Sequence, residues 1–304
     1  MSEYVDLQVN GYGGVDFSSP ELTGDDVKRA TDLLADQGTV AFCPTIITSS
    51  HDVYERNLTL LARYINGQLG DQMLGIHLEG PFISPIDGAI GCHPREHSKL
   101  PDIRAMQSMI DRADGAIAIV TLAPELDGAI ELIKFLVENQ IVVSLGHHLA
   151  STEEIELAVR AGAKASTHLG NGIPKILSRT SNPIVDQLAN DQLTGMFITD
   201  GHHLPTNFIK VALRAKGLGR FIVTSDAAPI AGLEPGRYNW AGNELILHES
   251  GVIYSQTSGT LAGSASTMKM CAEVLRRECE LTDDEIGMVT YSNPLNLLNA
   301  RKKK

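Results

Sequence analysis

The chain has 304 residues, 43% hydrophobic and 20% charged, and a formal net charge of −12. That length holds one large α/β barrel or two average domains, and the acidic balance argues against a nucleic acid or another polyanion as partner. Four widely spaced cysteines without a C-x-x-C pair point to a reducing compartment, and an opening Met1-Ser2-Glu3-Tyr4 that lacks the basic and apolar parts of a leader, with no apolar run near the ~20 residues of a membrane span, points to the cytoplasm and away from membranes.

The predicted elements begin with an apolar run at Val5–Val9, followed by a helix that Thr23-Gly24-Asp25-Asp26 opens with a capping pattern. Further short, β-branched runs follow at Val40–Ile47, Met73–Leu78, Ala116–Leu122 and Ile141–Leu145. A second helix start, Ser151-Thr152-Glu153-Glu154, has Glu154 three residues after Ser151, as in a capping box. Ala163–Thr167, Thr194–Ile198 and Phe221–Thr224 complete a set of eight candidate strands, with amphipathic stretches between them. Near-continuous apolar strands alternating with helices imply a parallel sheet covered by helices. Eight such units predict a (β/α)8 barrel, with a doubly wound open sheet as the alternative. Beyond the eighth strand, Arg237–Ile246 and Val252–Gln256 alternate around His248–Gly251 and predict a β-hairpin insertion. Helices at about Ser266–Cys279 and Asp283–Thr290 close the chain, and the basic run Arg301-Lys302-Lys303-Lys304 reads as a solvated tail.

Barrel enzymes place their chemistry at the carboxyl ends of the strands. The third strand runs into His77 and Glu79, the fifth into His147 and His148, and the sixth into His168 and Asn171. The seventh reaches Asp200, His202 and His203, and the eighth Asp226. Six of the ten histidines fall at these ends. Five strands ending in imidazole or carboxylate on one face predict a divalent metal held by Glu and His, with a position left for water. Mixed nitrogen and oxygen ligation suits zinc, with ferrous iron, cobalt or manganese as alternatives. The first strand ends in two amides, Gln8 and Asn10, which ligate metal poorly, so one ion is expected rather than two.

Eight stretches resemble the N-acetylglucosamine-6-phosphate deacetylases of the amidohydrolase superfamily. They are D-L-Q-V-N-G-Y-G-G-V-D-F from Asp6, H-L-E-G-P-F from His77, G-C-H-P from Gly91, S-L-G-H from Ser144, T-H-L-G-N from Thr167, D-G-H-H from Asp200, V-T-S-D-A from Val223 and G-T-L-A-G-S-A-S-T-M from Gly259. They occur in family order over nearly the whole chain. The resemblance implies that Glu79, His147 and His168 bind the metal and that Asp226 is the general base and acid. It implies that His93 orients or polarises the acetamide, and that Asn171, the Gly172 backbone, His203 and Arg179 contact the sugar phosphate. The arginine loop in the family commonly reaches a neighbouring subunit, which implies a homodimer. His77, His148, His202, Gln8 and Asn10 are expected as supporting residues behind the ligands, and Cys92 as a small filler beside His93.

Two departures from the family pattern shape the remaining expectations. Members generally add a small β-sandwich built from both termini, whereas this chain begins almost at its first strand and stops soon after Asn293-Pro294. A single barrel domain over 1–304, with no separate sandwich, is therefore expected. The loop Gly170-Asn171-Gly172-Ile173-Pro174 also differs from the usual aromatic-Asn-Ala-Met run. The expected reaction is removal of the acetyl group from N-acetylglucosamine-6-phosphate. N-acetylgalactosamine-6-phosphate or another amide remains open as substrate, as does a non-catalytic sugar-phosphate-binding protein.

Overall fold

The computed structural model describes residues 3–256 and 261–299. In chain order it runs β1 (Tyr4–Val9), a small hairpin β2 and β3 (Gly11–Tyr12, Val15–Asp16), α1 (Gly24–Asp36), β4 (Thr39–Ile47), α2 (His51–Ile65), β5 (Ile76–Glu79), α3 (Ile103–Arg112), β6 (Ile117–Leu122), α4 (Ala129–Glu138), β7 (Val142–Leu145), α5 (Thr152–Ala161), β8 (Ala165–Ser166), α6 (Pro183–Ala189), β9 (Thr194–Phe197), α7 (Thr206–Lys216) and β10 (Phe221–Val223). After these come β11 (Gly236–Trp240), β12 (Asn243–Leu247), β13 (Ile253–Ser255), α8 (Met268–Cys279), α9 (Asp283–Gly287), a π-helical turn (Met288–Ser292) and α10 (Asn293–Asn299).

Eight parallel strands form one sheet in the order β1-β4-β5-β6-β7-β8-β9-β10, the β/α barrel that the alternation predicts. Strands β1, β5, β6 and β7 are buried along their whole length, because each is covered by helices outside and by side chains of the barrel interior. The helices pack through one stripe each. In α1 the buried residues are Val27, Ala30, Thr31 and Leu34, spaced for one face. The capping boxes Thr23–Asp26 and Ser151–Glu154 are both formed, with each side chain bonding the other's backbone NH.

The barrel has one seam. Among the described residues no ladder joins β1 to β10, and the two meet through an isolated bridge between Val9 and Ala227 and an Asn10 NH bond to the Ala227 carbonyl at 2.9 Å. The π turn, α8 and α10 pack against both strands and cover this seam.

The insertion after β10 differs from the predicted hairpin. It is a three-stranded antiparallel sheet, because Ala241 and Gly242 turn the chain within the run Arg237–Ile246 and pair Trp240 with Asn243. Both turn residues have positive φ (49° and 75°), which suits a tight two-residue loop. Gly259 and Thr260 of the last family-like stretch, and the tail 301–304, lie outside the described residues.

Candidate active site

Three barrel strands deliver three ligand-type side chains to one point. Glu79 closes β5, while His147 and His168 each lie two residues beyond the ends of β7 and β8. His168 Nε2 is 2.8 Å and His147 Nε2 3.1 Å from the same oxygen, Glu79 Oε1, and the two Nε2 atoms are 3.0 Å apart. All three residues are buried. His147 and His168, and Asp226 at the end of β10, have left-handed φ values of 54°, 29° and 51°. Non-glycine residues adopt that region at a cost of about 1–3 kcal/mol each, and it recurs where a side chain is held for chemistry.

This arrangement fits a divalent ion. His147 Nδ1 lies 2.7 Å from the Ala89 carbonyl and so must carry the hydrogen, which leaves a bare lone pair on Nε2. A bare imidazole nitrogen facing a carboxylate oxygen and a second imidazole nitrogen is repulsive unless a cation lies among them. One carboxylate oxygen and two imidazole nitrogens form the donor set for a borderline divalent metal. The electrostatics point the same way. Burial alone would raise the Glu79 pKa, yet the imidazoles of His147, His168 and His93 around it hold it well below the usual carboxylate range. Burial works against a charge on His168, but the Glu79 bond wins and raises its pKa. The carboxylate thus attracts positive charge to this point, and a metal would compete with a proton for it.

The amides of β1 each hold one carboxylate. Gln8 Nε2 donates to Glu79 Oε1 at 2.8 Å, and Asn10 Nδ2 donates to Asp226 Oδ1 at 2.8 Å. Burial pushes Asp226 up to about 6, with His168 pulling it down. His93 stands on the other side of Glu79, with Nε2 3.5 Å from Oε2. Its Nδ1 accepts from the Thr48 NH at 3.3 Å and lies 3.0 Å from Thr48 Oγ1, so its hydrogen is on Nε2. Burial lowers its pKa to about 4 and keeps the ring neutral. Gly80 makes this packing possible. A Cβ there would lie 2.2 Å from Thr48 Oγ1, and its φ of 91° suits glycine.

His77 belongs to a layer beneath these groups. Its Nδ1 donates to the Leu7 carbonyl at 2.9 Å, and Nε2 accepts from Thr121 Oγ1 at 2.7 Å. Burial takes its pKa down to about 4, so it is neutral. That fixes the direction of the rest of the chain, with Thr167 donating to Thr121 and Ser144 to Thr167, each at 2.6 Å.

Glu79, His93, His147, His168, Asn171, Gly172, His203 and Asp226 line one cavity of about 110 Å³, with Asn10, Cys92 and Trp240. Its neighbour, a cavity of about 490 Å³, has Ile47, His93 and Trp240 among its lining residues as well. His203 is oriented by Asp200, whose Oδ2 takes Nδ1 at 2.8 Å while Oδ1 accepts the NH groups of His202 and His203. Despite burial, these bonds hold Asp200 down at about 2.

Three expected residues fall elsewhere. Arg179 is exposed on the segment before α6 and does not line the cavity within this chain. His148 is buried away from the ligands, where Nδ1 accepts from the Ala150 NH at 3.2 Å; burial takes it to about 4, with a smaller upward pull from Gln187. His202 is exposed and contributes only its backbone NH. Among the described residues neither side chain bonds to Glu79, His147 or His168. Trp240 lines the cavity and was not singled out in the sequence, and Asp200, read there only as a strand-end carboxylate, orients His203. The signals were present: the chain's one tryptophan stands beside a turn, and Asp200 lies three residues before His203.

No family model matches the chain. Among curated proteins it is 34% identical to N-acetylglucosamine-6-phosphate deacetylase of Rattus norvegicus, over 99% of this chain and 75% of that protein. It is 31% identical to the protein of the same name from Bacillus subtilis, over the same shares. Among solved structures, a mutant N-acetyl-D-glucosamine-6-phosphate deacetylase from Mycobacterium smegmatis, in complex with N-acetyl-D-glucosamine-6-phosphate, superposes with a TM-score of 0.90 at 28% identity. That match covers 98% of this chain and 77% of the other. The Thermotoga maritima enzyme gives 0.88 at 27% identity, over 99% and 79%. With relatives above 30% identity along nearly all of its length, and a Glu-His-His cluster at the mouth of a matching barrel, the chain belongs to the N-acetylglucosamine-6-phosphate deacetylases of the amidohydrolase superfamily.

Proposed function

We propose that this protein hydrolyses N-acetylglucosamine-6-phosphate to glucosamine-6-phosphate and acetate, a step of amino-sugar catabolism. The observation that carries the reading is the convergence of Glu79, His147 and His168 beside Asp226 in one cavity. Those three residues would hold one divalent ion per subunit, with zinc the best match to a mixed nitrogen and oxygen set and iron, cobalt or manganese as alternatives. Such an ion supplies Lewis acidity, which makes an amide carbonyl more electrophilic and water more acidic.

The chain's own residues do the rest. The reaction adds the oxygen of water to the acetyl carbon, breaks the C–N bond and sends the nitrogen away as an amine. Asp226, with a pKa of about 6, can take a proton from the water and return it to the departing nitrogen. Asn10 occupies Asp226 Oδ1, which leaves Oδ2 for that transfer. His93 presents a neutral Nε2–H, a donor for the negative charge that develops on the carbonyl oxygen. Asn171, the Gly172 backbone and His203 would contact the sugar phosphate. His203 has only Nε2 left for this, since Asp200 holds Nδ1. Arg179, exposed outside this chain's cavity, would reach the phosphate bound by a second subunit of a homodimer. No helix of the described residues is long and apolar enough to cross a membrane, and the four cysteines form no disulfide among the described residues, which supports a reducing, cytoplasmic setting.

The test is acetate release from N-acetylglucosamine-6-phosphate, with metal content measured on the same preparation. Chelation should abolish turnover and re-addition of a divalent metal should restore it, and Asp226→Asn should retain metal while losing on the order of 10²-fold or more in kcat. Full turnover by metal-free protein would overturn the reading, and faster turnover of N-acetylgalactosamine-6-phosphate would reassign the sugar.

A further inference from the structure

Asp6 is a buried carboxylate in the middle of β1 that does not line the catalytic cavity. A charge-bearing group in a barrel wall is costly, and an apolar residue would fill the space more cheaply. Its bonds run almost entirely across the seam. Oδ1 accepts from Thr224 Oγ1 at 2.7 Å and from the Ser225 NH at 3.2 Å, and it also takes the Gln8 NH of its own strand at 3.2 Å. Oδ2 accepts from Ser225 Oγ and from the Ser225 NH at 3.3 Å. Ser225 Oγ in turn accepts the Ala227 NH at 3.1 Å, so Asp226 is spanned by a hydroxyl that Asp6 holds.

This clasp stands where the barrel has no ladder. Between β1 and β10 the described residues give one isolated bridge, and beyond β10 the chain passes through Thr224 and Ser225 into the left-handed Asp226. The strand that carries Asp6 also carries Gln8 and runs directly into Asn10, and these two amides hold Glu79 and Asp226 respectively. One carboxylate therefore sets the register between the strand bearing both amides and the strand end bearing the proton-transferring group.

We propose that Asp6 is a positioning residue for deacetylation, which acts by clasping Thr224 and Ser225 across the open seam and so holds Asp226 against Asn10. The proposal rests on the deacetylase reading above. It predicts a loss that falls on the chemical step rather than on substrate binding, because misplacing a reacting group by about 1 Å costs on the order of 10²-fold in rate.

The experiment is steady-state kinetics of the full-length, metal-loaded protein on N-acetylglucosamine-6-phosphate, for wild type, Asp6→Asn, the pair Thr224→Val/Ser225→Ala, and all three changes together. Asp6→Asn is expected to lower kcat by roughly 10- to 10²-fold, with KM within about twofold and metal content unchanged. The combined variant is expected to lose no more than the worse of its parents, because both break one clasp. Wild-type kcat in Asp6→Asn, or losses that multiply in the combined variant, would overturn the proposal. Should Asp6→Asn fail to fold, Ser225→Ala decides on the same readout: a selective fall in kcat supports the clasp and an unchanged kcat overturns it. An inert wild type would instead count against the deacetylase assignment, so the two failures are distinguishable.

Discussion

Asp226 holds its proton to a higher pH than an exposed carboxylate because burial disfavours the charged form, and the bond from Asn10 pulls the other way. A general base works only when deprotonated, so kcat/KM should fall tenfold per pH unit below about 6 and level off above it. Asn10 stabilises the carboxylate, so Asn10→Ala should move this limb to higher pH. A pH–rate profile of the two proteins checks both the position and the sign. Gly172 makes a second prediction at this scale. Its φ is 60°, and a Cβ there would lie 2.8 Å from His147 Nδ1, the nitrogen that fixes the ligand's tautomer. Gly172→Ala should therefore weaken metal affinity by about 10- to 100-fold, as disturbing a ligand's support does, and chelator competition would measure it. Most of the cluster was legible because imidazoles and carboxylates at the ends of apolar strands have few other reasons to recur. Asp6 was not, since a lone carboxylate inside a strand reads as noise until its partners, more than 200 residues away, are known.

The elements themselves were legible where the hydrophobic period was unbroken. The eight predicted strands correspond to β1, β4, β5, β6, β7, β8, β9 and β10. The third was read from Met73, but its ladder starts at Ile76. Gly75 takes a φ of 137° there, where a Cβ would meet the Ala118 side chain at 2.6 Å, so Met73 is left as a single bridge to Phe42. The insertion was misread for a different reason. Tyr238 and Trp240 fall on even positions, Leu245 and Leu247 on odd ones, and that slip in phase is the trace of the Ala241-Gly242 turn. Helix α6 depends on a residue far from it in sequence. Buried Lys216, at the end of α7, donates to the Gln187, Asn190 and Leu193 carbonyls, of which Asn190 also accepts from the Leu193 NH at 3.3 Å. Lys216→Met takes this donor from all three and should destabilise the fold by about 3 kcal/mol. Denaturant unfolding monitored by circular dichroism would read that loss, and it would loosen the segment bearing Arg179.

At the scale of the whole molecule, the phosphate contact proposed for Arg179 is not made within this chain's own cavity. The cavity holds the metal-type cluster, Asp226 and His203, while Arg179 stays outside it. If the arginine serves the neighbouring subunit, mixing two crippled proteins should restore a working centre. Arg179→Ala subunits keep Asp226, and Asp226→Asn subunits keep Arg179. Mixed dimers of the two should regain turnover at low substrate that neither has alone, whereas an arginine acting within its own chain would give no recovery. Such sharing was implied by the family resemblance and not by the residues themselves, because an exposed arginine on a polar loop has the same sequence signature whether or not a second subunit receives it.

The open seam also sets an order of events during synthesis. Residues made earlier supply Asp6 and Asn10, and residues made 218 and 216 positions later supply their counterparts, Thr224 and Asp226. Contacts of such long sequence separation form late, since a large loop must close before they stabilise anything. A nascent chain that has passed His168 already contains Glu79, His147 and His168, but Asp226 follows later and meets Asn10 only when β10 docks beside β1. Closure of β10 against β1 is therefore the step that brings Asp226 to Asn10 and to the cluster of Glu79, His147 and His168.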